Sequence, residues 1–138
     1  MQYNESARIK HLELAQSVVA RQASNSFLIK GWTITVSSAI YAISIQQNEV
    51  LYALLGSGVV ASFWSLDSYY LRNERLFRRL YQAIRREEPT VEAFSLDPAP
   101  FSNYVESTFR VALTASQLRL HGPLLAIGLV LAAVFCWR

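Results

Sequence analysis

KGWTITVSSAIYAISIQQNEVLYALLGSGVVASFWSLD, residues 30–67, contains no charged side chain between its terminal Lys30 and Asp67 except Glu49. The uncharged runs on either side of Glu49 are too apolar for a soluble domain, and a charge buried in hydrocarbon costs roughly 2.5–3.5 kcal/mol. Residues 31–45 alone make roughly 22 Å of helix, short of a hydrocarbon core of about 30 Å. Extension back to Ser26 gives a full span, with the Lys30 amine reaching the headgroups. The second run, 50–66, continues through Tyr69, Tyr70 and Leu71. Gln46-Gln47-Asn48-Glu49 is long enough only for a tight turn, so the pair reads as an antiparallel transmembrane hairpin.

The rest of the chain follows the same alternation. Of 138 residues 52% are hydrophobic and 17% charged, and the charges lie between the apolar blocks. A third uncharged block, 122–137, makes residues 118–137 another span, with Gly122-Pro123 expected to kink it at its entry. Polar residues precede the first apolar run, so it is not a cleavable signal peptide. Lone Cys136 excludes an internal disulfide or a cysteine metal cluster.

Basic residues set the orientation. Arg8, Lys10, Arg21 and Lys30 precede the hairpin. Arg72, Arg75, Arg78, Arg79, Arg85, Arg86, Arg110 and Arg119 lie between spans two and three or flank span three. Only Arg138 lies beyond it. The N-terminus is therefore expected inside the cell and the C-terminus outside. Trp32 and Trp64 lie at one depth from the turn, as an interfacial belt would. Lys30 and Asp67 lie one step further out, where they either pair across the hairpin or meet water and headgroups.

The expected fold is all-α: a cytoplasmic amphipathic helix within 1–26, the hairpin at 27–71, a cytoplasmic helical layer at 67–117 and a third span at 118–138. The first helix, 7–23, would bury Ile9, Leu12, Val19, Ala20 and Ala23, with Ser24-Asn25-Ser26 breaking it before span one. Span two would run on to Arg86, with Leu76, Phe77, Leu80, Tyr81 and Ile84 as its apolar stripe, and end at Glu88-Pro89. A linker at 95–100 and an amphipathic stretch at 103–117 would lead into span three. These faces have no partner within their own segments, so they pack on one another or on further subunits.

No phosphate loop, nucleophile elbow or paired metal ligands occur, so neither catalysis nor a cofactor or metal is expected. His11 reads as a helix-surface residue and His121 as an interfacial one. Two features carry functional weight. Arg72, Arg75, Arg78, Arg79, Arg85 and Arg86 form a basic face on the inner helix, suited to phosphate because guanidinium forks match its oxygens. The same arginines would also serve topology and anionic lipid alone. Ser37, Tyr41 and Ser44 share a face of span one that would line a pore in an oligomer. Packing of small and hydroxyl residues between helices would give the same pattern, and is the better reading of Gly56, Gly58 and Ser62.

NSFLIKGW at 25–32 and FWSLDSYYLRNERLFRRLY at 63–81, with KHLE at 10–13, resemble a widespread family of small bacterial inner-membrane proteins. That family is similar to the membrane effectors of nucleotide-signalling antiphage systems, among them the HalB-type effectors of Hailong defence. The pattern covers residues 8–81, and the rest matches by layout. The resemblance implies a homo-oligomeric channel, tetrameric, controlled by a nucleotide or short oligonucleotide from a partner nucleotidyltransferase. Opening would depolarise or kill the cell during phage infection. The residues alone are also compatible with a non-channel accessory protein whose cytoplasmic helices dock a soluble partner.

Overall fold

The computed structural model describes residues 4–137; Arg138, assigned above to the far side of span three, lies outside the described residues. The chain is all-α, with no strand among the described residues. Helix α1 spans Glu5–Gln47 and α2 spans Val50–Arg85. A 3-10 helix, Ala99–Tyr104, and the short α3, Thr108–Ala112, then lead to α4, Ala115–Cys136. Among the described residues three helices, α1, α2 and α4, are long and apolar enough to cross a membrane.

The hairpin turn is tight. Asn48 takes the left-handed conformation (φ 53°) that ends a helix, and its N–H donates to the Ser44 carbonyl. Asparagine tolerates that geometry better than most residues. The Ser44 hydroxyl donates to the Glu49 carbonyl at 3.0 Å and closes the turn from inside.

Ser24-Asn25-Ser26 does not break the helix. Instead α1 is one uninterrupted rod of 43 residues, roughly 65 Å long. Ser26 uses its hydroxyl on Asp67 of α2 rather than on a helix cap. The buried face of the N-terminal part also differs from the apolar stripe expected. His11, Ala15, Val18 and Val19 are buried, while Ile9 is 51% exposed and Ala20 faces outward. The reason lies further along the rod. The face turned to α2 and α4 continues as Ser26, Thr33, Ser37, Tyr41 and Ser44. A helix that meets lipid carries its large apolar residues outside, such as Ile34, Ile43 and Ile45.

Helix α2 ends earlier than Pro89 requires. Glu87 adopts φ 54°, the Glu87 N–H donates to the Ile84 carbonyl and the Glu88 N–H to that of Ala83. This is the Schellman arrangement of a helix C-terminus. Glu87 is also held by an ion pair with Arg8. The chain then folds back over the ends of α1 and α2 remote from the hairpin turn, where Ala15, Leu76, Leu80, Ala83, Ile84 and Phe101 form a compact core. His11 belongs here and not at the surface. It is fully buried, with Nε2 2.7 Å from the Ser95 carbonyl and its ring against Phe94.

The 103–117 stretch is not one helix. Val105 is extended (φ −119°, ψ 140°), and the Ser107 side chain accepts from the Arg110 N–H to start α3. Thr114, also extended, precedes α4, which begins at Ala115 and passes through Pro123. Within the membrane layer the Tyr41 ring lies against Gly56 of α2 and its hydroxyl against Gly128 of α4. Tyr41 Oη donates to the Leu124 carbonyl at 3.0 Å. One tyrosine thereby joins all three spans.

Candidate functional site

Two polar constellations stand out. The first is on the extension of α2 beyond its apolar run. Helical spacing puts Arg72, Arg75 and Arg79 on one side of the rod, and the chain returning from the 3-10 helix lies across them. Arg72 Nε donates to the Glu106 carbonyl at 3.0 Å, and Arg75 pairs with the Glu106 carboxylate. The Arg79 guanidinium sits 5.4 Å from the centre of the Tyr104 ring, within cation–π range. Arg78 pairs with Glu74 one turn away at 2.7 Å.

Arg75, Arg78 and Arg79, with Gln82, Tyr104 and Glu106, line an open cleft of about 430 Å³. Of the six arginines proposed from sequence, three therefore share a cleft and Arg72 ties down its acidic edge. Arg85 and Arg86 are exposed at the end of α2 and do not line it. Tyr104 and Glu106 were not foreseen as members, since nothing in the spacing of 103–117 distinguishes them. Chemically the cleft presents guanidinium forks to an anion, with carboxylates of the same chain already engaging two of them, Glu106 on Arg75 and Glu74 on Arg78.

The second constellation lies where the hairpin meets α4. Lys30 Nζ lies 2.7 Å from Asp67 Oδ2 and donates to Asp67 Oδ1 and to Ser26 Oγ, each at 2.8 Å. Ser26 in turn donates to Oδ1. The Asp67 side chain is fully buried while that of Lys30 is 23% exposed, so the amine forms the outer end of the cluster. The counts from the turn placed these two residues at one level, and the structure joins them.

His121 was read as an interfacial residue, yet it is fully buried. Its ring stacks on Trp64 at 5.7 Å, and Nε2 faces Asp67 Oδ2 at 3.8 Å. Trp64 is itself turned inward, its indole N–H donating to the Ala112 carbonyl, whereas Trp32 stays 58% exposed. The only sequence signal for His121 was an ionisable residue at the edge of an apolar run, which suits a headgroup contact equally well.

Ser37, Tyr41 and Ser44, expected to line a pore, are buried inside the chain's own helix bundle. Ser37 donates to the Thr33 carbonyl, and Tyr41 and Ser44 to carbonyls of α4 and the turn. The packing alternative left open by the sequence describes this face, because each hydroxyl finds a partner without water. Neither a family model, nor a curated protein, nor a solved structure matches the chain.

Proposed function

We propose that the chain is the subunit of a homo-oligomeric membrane channel whose conducting state is set by a phosphate-bearing ligand at the arginine cleft. The observation that carries this reading is the position of Glu106. Its carboxylate engages Arg75 as an anion would and its backbone carbonyl takes the Arg72 Nε–H, and it lies immediately before α3 and α4. A nucleotide or short oligonucleotide competing for those arginines displaces Glu106 and moves the segment that leads into the third span. In this reading the ligand comes from a partner nucleotidyltransferase, and the setting is antiphage defence at the bacterial inner membrane, as the family resemblance suggests.

Several copies are needed, because the polar face of α1 is consumed inside each chain. Gly58 supports close approach of a second copy: a side-chain carbon built on it meets nothing within 4 Å. Gly58 and Ser62 floor a groove of about 470 Å³ flanked by Leu51, Leu55 and Phe63. Small residues at such spacing let transmembrane backbones approach. The conduction path then lies between copies, and four copies is the number suggested by resemblance.

A different observation favours the accessory-protein reading. Tyr104 and Phe109 are 72% and 73% exposed on the cytoplasmic-side segment, as a docking surface for a soluble partner would be. Ion flux from liposomes containing the purified protein separates the two, and its absence at any ligand concentration removes the channel.

Ligand control is tested by two sets of variants. Replacing Arg75, Arg78 and Arg79 together by Gln is expected to abolish binding of a short oligonucleotide. Charge-assisted hydrogen bonds are worth about 1.5–3 kcal/mol each, so three losses exceed a thousandfold by order of magnitude. Glu106→Gln removes the internal competitor and is expected to tighten binding about tenfold. Wild-type binding should weaken steeply with salt as phosphates release counterions. Affinity unchanged by Glu106→Gln removes the competition mechanism.

The orientation has its own test. With the N-terminus cytoplasmic and the C-terminus periplasmic, a reporter active only in the cytoplasm should work at the N-terminus and after Pro89. It should fail after Arg138. Periplasmic activity of a fusion at Pro89 overturns this arrangement.

A further inference from the structure

The contact between α4 and the hairpin contains polar atoms that the protein's own groups do not satisfy. Among the described residues five buried side-chain polar atoms lack a hydrogen-bond partner, and four of them belong to Asp67, His121 and Gln117. These are His121 Nε2, both amide atoms of Gln117 and Asp67 Oδ2; Oδ2 still has the Lys30 amine 2.7 Å away as its ion-pair partner, so Nε2 and the Gln117 amide are the atoms left wholly unmet. All three side chains are fully buried. Gln117 and His121 lie one turn apart on the buried face of α4. In a hydrocarbon setting unpaired groups of this kind are rare and carry a heavy penalty.

The chemistry restricts what can join them. His121 Nδ1 lies 3.2 Å from the Gln117 carbonyl, which only accepts, so Nδ1 carries the ring proton. In the neutral ring Nε2 is then an acceptor, and it faces another acceptor, Asp67 Oδ2, at 3.8 Å. Oδ2 already has the Lys30 amine, so Nε2 is the atom that needs a donor, and the carboxylate opposite it can offer none. Protonating Nε2 as well would place an imidazolium beside the Lys30 ammonium with only Asp67 to balance both. A metal ion or other cation meets the same ammonium, 2.7 Å from Oδ2, and an anion meets the carboxylate. Helix α1 brings Lys30 and Ser26 to Asp67, and α2 supplies Asp67 and the Trp64 ring stacked on His121. On α4 the buried Gln117 precedes His121 by one turn, while Arg119 and the Arg110 of α3 are exposed.

We propose that Asp67, His121 and Gln117 form a membrane-embedded site for one water molecule that joins the third span to the hairpin. The water donates one hydrogen to His121 Nε2 and one to Asp67 Oδ2. Two hydrogen bonds of about 2.8 Å meeting at one oxygen span the 3.8 Å gap with a bent angle. The Gln117 amide donates to the water oxygen, giving the three partners typical of buried water. Lys30, partly exposed, marks the route by which the molecule enters. The site makes the α4 joint a mobile polar contact in place of a dry one, and it stands whether or not the chain forms a channel.

The test is nitrogen NMR of histidine-labelled wild-type protein in lipid nanodiscs, with His121 assigned through the Gly122 backbone amide. The expected spectrum at neutral pH has Nδ1 protonated, Nε2 bare and a cross-peak from water to the His121 ring. Gln117→Leu should remove the water cross-peak and leave the Nδ1 proton in place. A protonated Nε2 without a water contact means direct donation to Asp67 and overturns the proposal. So does a bare Nε2 with no water cross-peak, and so does a cross-peak that survives unchanged in Gln117→Leu.

Discussion

Lys30→Met is expected to destabilise the folded protein by about 3–5 kcal/mol, the range for removing one partner of a buried ion pair. The reason is asymmetric burial. Asp67 has no exposed side-chain surface while Lys30 keeps 23% of its own, so loss of the amine strands a carboxylate among apolar helices. Asp67→Asn should cost less, about 1–2 kcal/mol, because a freed Lys30 can extend its amine to the headgroups. The double variant Lys30→Met/Asp67→Asn should recover most of the Lys30→Met loss, since neither charge remains. Unfolding in mild detergent, followed by circular dichroism, measures all three. Wild-type stability in Lys30→Met would mean the pair bears no weight.

Gly56→Ala is the second substitution with a large expected effect. A side-chain carbon at Gly56 would fall 2.4 Å from Tyr41 Cε1 and 2.7 Å from Cδ1, contacts that require the ring to move. Tyr41 is fixed at its other end by the hydroxyl on the Leu124 carbonyl, so the adjustment separates α1 from α2 or breaks the bond to α4. Overpacking of this kind costs about 1–3 kcal/mol, and the upper end applies because the obstacle is ring carbon. Gly128→Ala meets hydroxyl oxygens instead, Ser57 Oγ at 2.2 Å and Tyr41 Oη at 2.3 Å. Tyr41→Phe should therefore partly relieve Gly128→Ala and do nothing for Gly56→Ala. Gly58→Ala, open on all sides within the chain, should be neutral or slightly stabilising in a monomeric detergent state. These stabilities are read from the same unfolding curves.

The hairpin was legible because the bilayer writes it in charge: Lys30, Glu49 and Asp67 mark its boundaries and nothing charged lies between. Counting from the turn also placed Lys30 and Asp67 at one depth. The inner face of α1 was legible as a hydroxyl stripe, but pore lining and helix packing give the same pattern, and the stripe of the N-terminal part was misplaced because amphipathic reasoning assumes that apolar residues turn inward. Between lipid and a small bundle the preference inverts, and Ser37, Tyr41 and Ser44 pack inside while Ile34 and Ile43 face out. The histidines failed for a related reason. His11 and His121 each became buried through partners distant in the chain, Ser95 in one case and Asp67 with Trp64 in the other. The arginines were visible as a face, but the carboxylate that occupies it, Glu106, comes from a segment whose path depends on the irregular residues 105–107.

The unbroken course of α1 has a mechanical consequence. A rod of 43 residues with no hinge transmits a tilt at one end to the other as a stiff lever. Helix α2, continuous over 36 residues, is its antiparallel arm, and the two are pinned at the turn by Ser44, at mid-length by Lys30 and Asp67, and at the far end by Arg8 and Glu87. Such a frame deforms as one piece. Compliance is left to the crank formed by residues 105–114, where one short helix, α3, and the extended residues Val105, Ser107 and Thr114 lead into α4. In the proposed function a ligand that replaces Glu106 on the arginines would act on this crank and not on the frame, and a disulfide engineered across the crank should then abolish ligand-dependent flux without lowering the stability of the hairpin.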